Sequence, residues 1–394
     1  MTRSGPARSF RAEAGGPEAS VVLSGGGARG AYQVGVMQEI AARRPGIRFP
    51  VLTGVSAGAI NAAVLAGRAE APAEALDDLA GTWGGLRTRD VLRSDAVSLA
   101  WNALRLVARL GTGGGVLAPQ VRGLVDTSPL FGLLERIVDP DGIERNIEAG
   151  RLRAAAVSAT SYRTGRTVTF VHAAPDVRLW ERARQQAVAA RLDAGRVMAS
   201  AAIPLFFPAA EVEGEWFGDG GIRQGNPLSP AVRLGARRIL AVSSRYRPSR
   251  PPRPGDRPDP YPPAGRVAGL VLNSIFLDNL DVDAERLQRI NRLVTRIPRE
   301  HRWRVDERPV RLLVLRPSAD LGRMAARHES RLPRAFRFLV RGLDGRSPAS
   351  SDLLSYLLFE REYLGELLEL GRRDVDRNWV RIRRFLAEPG KERA

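Results

Sequence analysis

The stretch Gly54-Val55-Ser56-Ala57-Gly58 constrains this chain more than any other. Val51 and Leu52 lead in as a short apolar strand, and an Ala-rich helix is expected from Ala57 to Gly67. Glycine on both sides of a serine lets the backbone turn tightly where strand, turn and helix pass close together. The hydroxyl then stands at a helix N-terminus, whose dipole and free N–H groups favour developing negative charge. A Gly-x-Ser-x-Gly junction of this kind has the form of a nucleophile elbow. A chain with 40 glycines also meets the pattern by chance, so on five residues alone a plain strand-to-helix junction stands beside that reading.

A second glycine motif precedes it. Residues 19–24 read as a buried strand (Val21, Val22, Leu23) that runs into Gly25-Gly26-Gly27-Ala28-Arg29-Gly30. A helix follows, with Val34, Met37, Ile40 and Ala41 at helical spacing. Strand, glycine loop and helix together suit a negatively charged group. Gly25, Gly27 and Gly30 also match the dinucleotide fingerprint, which requires an acidic residue about 20 positions on. No Asp or Glu lies between Glu39 and Glu70, and the serine junction occupies the expected place. Beside that serine the loop has another use. Its N–H groups can face the oxygen of a carbonyl attacked by Ser56, as an oxyanion hole requires.

A nucleophilic serine needs a base, and composition narrows the choice. The 394 residues include no cysteine, which excludes disulfides, cysteine nucleophiles and thiolate metal sites. His172, His301 and His328 are scattered outside any comparable motif, so no metal site is expected. Residue 212 and residues 215–217 predict a hairpin that ends in Gly218-Asp219-Gly220-Gly221. Aspartate between glycines is often only a turn residue. Here Asp219 is the candidate base.

The remaining elements follow from periodicity. Helices are expected over 72–83 and 97–110; the latter is basic, amphipathic and followed by glycines at 111–115, so it reads either as an interfacial lid or as a helix packed on its own domain. Strands are expected over 151–160 and 166–171, paired across 162–165, and a helix over 189–202. That helix meets Ile203-Pro204-Leu205-Phe206-Phe207, where Ile203, Leu205, Phe206 and Phe207 form either a wall of an acyl pocket or ordinary core. A helix from Asn226-Pro227 to 234, a strand at 238–243, a helical region over 267–297 and a strand at 310–315 complete the pattern. Residues 1–18 read as a flexible leader, 19–320 as the main domain with a Pro/Arg-rich loop at 245–265, and 321–394 as a helical C-terminal extension.

Net charge is +18, almost all from arginine, since Lys391 is the only lysine. Such a charge draws a protein to polyanions, anionic membranes among them. The arginines are spread along the chain and no nucleic-acid-binding signature stands out, so no specific nucleic acid is expected. No run of 18 apolar residues exists, and Arg3, Arg8 and Arg11 precede no apolar segment. A cytoplasmic protein, peripheral at the membrane, is the expectation.

Taken in order, Gly25 to Gly30, Gly54 to Gly58 and Asp219-Gly220-Gly221 resemble the motifs of patatin-like phospholipases, bacterial members in particular. Ala199-Ser200-Ala201-Ala202-Ile203-Pro204 and Asn226-Pro227 also resemble segments of that family, so the likeness covers residues 21–243. The resemblance implies an α/β fold, a three-layer α/β/α sandwich with a mostly parallel central sheet. It implies a Ser-Asp dyad with Ser56 as nucleophile and Asp219 as base, and an oxyanion hole at Gly25, Gly26 and Gly27 with Arg29. Gly30, Gly54, Gly58, Gly220 and Gly221 would support these motifs. The implied activity is acyl-ester hydrolysis, mostly of lipids, without a cofactor. A dinucleotide-binding protein, or a non-catalytic basic protein on membranes or nucleic acid, stands as the alternative.

Aspartate is a weaker base than imidazole by roughly 2.6 pKa units in water, about 3.5 kcal/mol. Burial narrows that gap by raising the carboxylate pKa. Loss of one oxyanion donor costs about 3–4 kcal/mol in serine hydrolases, so the glycine loop should matter as much as the base. A hydrogen bond of at most about 3.2 Å is expected between Ser56 Oγ and an Asp219 oxygen. For Arg29, anchoring of the loop is favoured over binding of a lipid phosphate, because an arginine in a tight turn has carbonyl groups to satisfy.

Overall fold

The computed structural model describes residues 19–93, 123–204, 206–247, 279–298, 307–338 and 352–387, with isolated positions between 267 and 305. The leader at 1–18, the helix expected at 97–110 with its glycine hinge, and most of the Pro/Arg-rich stretch lie outside the described residues.

Among the described residues ten strands, most of them short apolar runs, form one sheet: β1 (Ser20–Leu23), β2 (Val51–Val55), β3 (Ala154–Ser161), β4 (Thr167–Ala173), β5 (Glu181–Arg182), β6 (Gln185–Ala189), β7 (Ala210–Val212), β8 (Glu215–Asp219), β9 (Arg238–Val242) and β10 (Arg311–Leu315). The order is β10-β9-β1-β2-β3-β4-β6-β5, with β8 pairing β3 and β7 off that path. From β10 to β3 every pair is parallel. Both faces of this part are covered, which is why its strands carry near-continuous apolar sequence.

Alternation along the strands divides the core in two. Val21, Leu23, Leu52, Ala155 and Val157 face one cluster, with α1 (Gly30–Arg43), α2 (Ala57–Gly67), α3 (Pro72–Gly85) and the long helix Arg361–Leu386. Val22, Val51, Ala154 and Ala156 face the other, with Leu228 and Ala231 beside helix Ser229–Arg233 and Leu280, Ala284 and Leu287 of helix Asn279–Arg296. Residues of period two thus supply both faces of one sheet, and the three layers follow.

One boundary differs from the sequence expectation. The helix expected over 189–202 starts at Ala194, where Asp193 caps it by accepting the Arg196 N–H at 2.8 Å. Residue 189 instead ends β6, which runs parallel to β4 with Ala187 packed in the core beside Trp180, and residues 190–193 are irregular. Among the described residues no helix is long and apolar enough to cross a membrane.

Candidate active site

Strand pairing brings the serine and the aspartate together. β2 runs beside β3 as far as the pair Val55 and Ser158, then turns at Ser56. β4 holds the other edge of β3 from Ala154 to Thr160. β8 therefore takes the edge that β2 leaves, with Asp219 opposite Ala159, one residue past the end of β2. Gly220 permits the join, since a Cβ there would lie 2.0 Å from Ser158 O and 2.8 Å from Val55 Cγ2.

Ser56 sits at φ 56° and ψ −128°. For a residue other than glycine such backbone geometry costs of order 1–3 kcal/mol and persists only where the surroundings impose it. Here they do. The Ser56 N–H donates to Ser200 Oγ at 3.0 Å, and that hydroxyl donates to Ser158 O at 2.6 Å. The Ser56 C=O accepts from the N–H groups of Ala59 and Ile60 at 2.9 and 3.3 Å. A Cβ on Gly58 would stand 2.3 Å from Leu23 O, so α2 meets the end of β1 only with glycine at that position. Gly30 and Gly54 are buried in the same junction.

Asp219 is fully buried, at 0 % exposure. Its N–H donates to Ala202 O at 2.8 Å, and its Oδ1 accepts the Gly221 N–H at 2.8 Å. Oδ2 is buried without a hydrogen-bond partner. Burial pushes the carboxyl from 3.8 up to about 7, against the pull of the Ser56 hydroxyl and the Gly221 N–H. The Ser56 hydroxyl is near enough to the carboxyl to favour its charged form. Oδ2 is left open to a proton. A carboxylate with a pKa near 7 is well matched to proton transfer at neutral pH.

The glycine loop ends in a short 3-10 turn, Gly27–Arg29. Its carbonyls are held: Ser24 Oγ donates to Gly25 O at 3.2 Å, and the Arg29 N–H donates to Gly26 O at 3.1 Å. The Arg29 guanidinium is taken up by Ser355 and Asp352, so this side chain anchors the loop.

An apolar cavity of about 40 Å³ opens beside Gly27 and Ser56. Ile60, Leu79, Trp83, Leu130 and Phe359 are among its walls. Of the residues expected to wall an acyl pocket, Ile203 and Phe207 line it. Phe206 is buried outside the lining, with its carbonyl accepting the Val125 N–H at 3.1 Å, and Leu205 lies outside the described residues. Trp83 is held by a buried chain of polar groups. Its Nε1 donates to Asn61 Oδ1 at 2.8 Å, Asn61 Nδ2 donates to Gly30 O at 3.1 Å, and Gln33 Nε2 donates to Ser24 O at 2.7 Å.

Sequence reasoning missed Ser200, Trp83 and Phe359 as parts of the site. Ser200 lay within a recognised segment, and Trp83 shares a helical face with Leu76 and Leu79; Phe359 carries no local signal.

The chain matches no curated protein. Among solved structures it is similar to VipD from Legionella pneumophila, at 14% identity over 91% of this chain and 69% of that one, with a TM-score of 0.30. It is also similar to the type III effector protein ExoU, at 17% identity, with a TM-score of 0.30. That match covers 90% of this chain and 53% of the effector, so the chain spans about half of the effector's length. Residues 21–232 match the family model of patatin-like phospholipases, a stretch that runs from β1 through the serine junction and the aspartate, and the chain belongs to that family.

Proposed function

We propose that this protein is a serine acyl-ester hydrolase of the phospholipase A or lipid acyl hydrolase type, working through Ser56 and Asp219. The observation that carries the reading is the buried, unpartnered Asp219 Oδ2 on the strand edge that β2 vacates at Ser56. In the first step Ser56 Oγ attacks the ester carbonyl and Asp219 Oδ2 takes the hydroxyl proton. The N–H groups of Gly25, Gly26 and Gly27 stabilise the tetrahedral oxyanion, and the N-terminus of α2 adds its positive end. Collapse of this intermediate breaks the C–O bond, and the leaving alcohol receives the proton from Asp219. Water, deprotonated by the same carboxylate, then attacks the acyl-enzyme; the Ser56 Oγ–C bond breaks, Oγ takes back the proton from Asp219, and the fatty acid is freed. The apolar walls of the cavity beside Ser56 suit contact with an acyl chain. A net charge of +18 favours approach to anionic lipid surfaces, so the enzyme works peripherally on such membranes.

The test is fluorophosphonate labelling with mass-spectrometric mapping, alongside turnover of short-chain p-nitrophenyl esters. Label on Ser56 is expected in the wild type, and turnover should fall by about 10³-fold or more in Ser56→Ala and Asp219→Asn. Folded wild-type protein that neither labels nor turns over, with or without anionic vesicles, would refute the reading.

A further inference from the structure

The family match ends at residue 232, yet the glycine loop is held from beyond that point. We propose that the segment Asp352–Leu357 is a clamp that sets the oxyanion loop, and that Asp352 is a positioning residue acting through Arg29. The proposal rests on the hydrolase reading above.

Three glycines in a row carry no side chains with which to fix their own N–H groups, so the loop must be placed by its surroundings. Ser24 and Ser244 hold its start, at Gly25 and Gly26, and two further contacts, at Gly27 and Arg29, come from the one segment. The first is between backbones. Gly27 has φ +55°, and a Cβ there would stand 2.2 Å from Tyr356 O, so the loop lies directly on the segment.

The second contact is Arg29, two residues further on and 3 % exposed. Its Nε and Nη2 donate to Ser355 Oγ at 2.9 and 2.6 Å. Nη2 also donates to Asp352 Oδ1 at 2.8 Å and to Asp352 O at 3.4 Å, and Nη1 donates to Asn273 Oδ1 at 3.5 Å. The guanidinium lies 4.3 Å from the centre of the Tyr356 ring. Among the described residues Asp352 is its only carboxylate partner. That carboxylate is oriented in turn, since Asn273 Nδ2 donates to its Oδ2 at 2.8 Å and Tyr356 Oη donates to Asn273 Oδ1 at 2.9 Å.

The loop and the reacting serine share one cavity. Gly27 and Ser56 line it together, and Phe359, two residues past the segment, lines it as well. Oxyanion donors act only when held within hydrogen-bond distance of the developing charge. A shift of about 1 Å at such a site costs about 10²-fold in rate. Asp352 is itself 32 % exposed, so its charge is not what fills the core, and its loss falls first on Arg29.

The test uses full-length protein with Asp352→Asn, Arg29→Met and the double variant. Three quantities are read: hydrogen exchange of the peptide covering residues 24–31, the labelling rate of Ser56, and kcat and KM on p-nitrophenyl butyrate across pH. In Asp352→Asn the loop should exchange about 10-fold faster or more. Labelling rate and kcat should fall by about 10–100-fold while KM stays within about threefold. The pH midpoint set by Asp219 should not move, because the base is untouched. The double variant should be no worse than Arg29→Met, since the two residues act as a unit. Should Asp352→Asn fail to fold, Ser355→Ala keeps the carboxylate and is read in the same way, with the same direction of change. A folded variant with unchanged loop exchange and unchanged kcat, or additive losses in the double variant, would overturn the clamp. Wild type without label or turnover refutes the hydrolase reading instead, and the exchange measurement still decides the clamp.

Discussion

Asp219 carries opposite consequences for folding and for catalysis, and both can be read from pH. Its folded pKa of about 7 lies above the unfolded value of 3.8, so the folded state prefers the protonated acid. Stability from this group is fully present below about pH 4, falls as pH rises, and is lost once pH passes about 7. At 1.36 kcal/mol per unit the whole swing is roughly 4 kcal/mol. Asp219→Asn does not titrate, and its Oδ1 can still accept the Gly221 N–H. The variant should therefore gain on the wild type by about 2–3 kcal/mol between pH 5 and pH 8, seen in denaturant midpoints. A constant difference across that range would show that the carboxyl ionises as freely in the fold as in the unfolded chain. Activity runs the other way. Wild-type kcat/KM should rise with pH through an apparent pKa near 7, because only the carboxylate accepts the serine proton. The residue types at this site were legible in the sequence, where Asp219 stood between glycines with no histidine in any comparable motif. What the sequence could not supply was the environment. A pKa near 7 arises from complete burial of Asp219 against β3 and the segment at 200–202, and neither of these is a neighbour in the chain.

At the scale of elements, the site is a handover between strands. β2 and β8 follow one another along the same edge of β3, and the turn at Ser56 is strained because β2 must leave where β8 begins. The sequence foretold most strands by their apolar runs, and the hairpin of β7 and β8 by the turn residues Glu213-Gly214 between them, but not β5 or β6. It could not foretell that β8 joins β3 beside β2, since that register depends on contacts about 60 residues apart. Ser200 shows the same limit. It stands in the last turn of helix Ala194–Ala201 and bridges the Ser56 N–H to Ser158 O. Ser200→Ala would leave a buried donor and a buried acceptor unpaired, at a cost of about 1–3 kcal/mol. The nucleophile would then relax toward ordinary backbone geometry. We expect a lower melting temperature and a labelling rate of Ser56 reduced by about 10–100-fold, with Ser200→Thr restoring most of both. Labelling at the wild-type rate in Ser200→Ala would mean that the elbow holds its own shape.

Across the whole molecule, the question is whether the C-terminal helices are an appendage to the hydrolase domain or part of it. From sequence, 321–394 read as an extension, because its leucines mark buried faces without saying against what. In the fold, Tyr363, Leu364, Leu367, Leu368 and Leu370 are buried in the same cluster as α1 and α3. The crossing is close: a Cβ on Gly35 of α1 would stand 2.0 Å from Leu368 O. Each fully buried side chain of this size contributes about 1.5–3 kcal/mol. Five of them together match the net stability of a typical domain, about 5–15 kcal/mol. Buried polar contacts add to the dependence, since Tyr32 Oη donates to Asp374 Oδ2 at 3.2 Å and Thr88 Oγ1 donates to Glu360 Oε1 at 2.8 Å. A chain ended at residue 320 keeps every motif shared with the family and loses the cover of α1, the clamp on Arg29 and the Phe359 wall of the cavity. Such a chain should show no cooperative thermal transition, a collapsed near-UV dichroism signal and no labelling at Ser56. If instead it unfolded cooperatively and labelled at the wild-type rate, the C-terminal helices would be an accessory to a self-sufficient hydrolase domain, and the docking of Arg361–Leu386 on α1 would serve some purpose other than completing it.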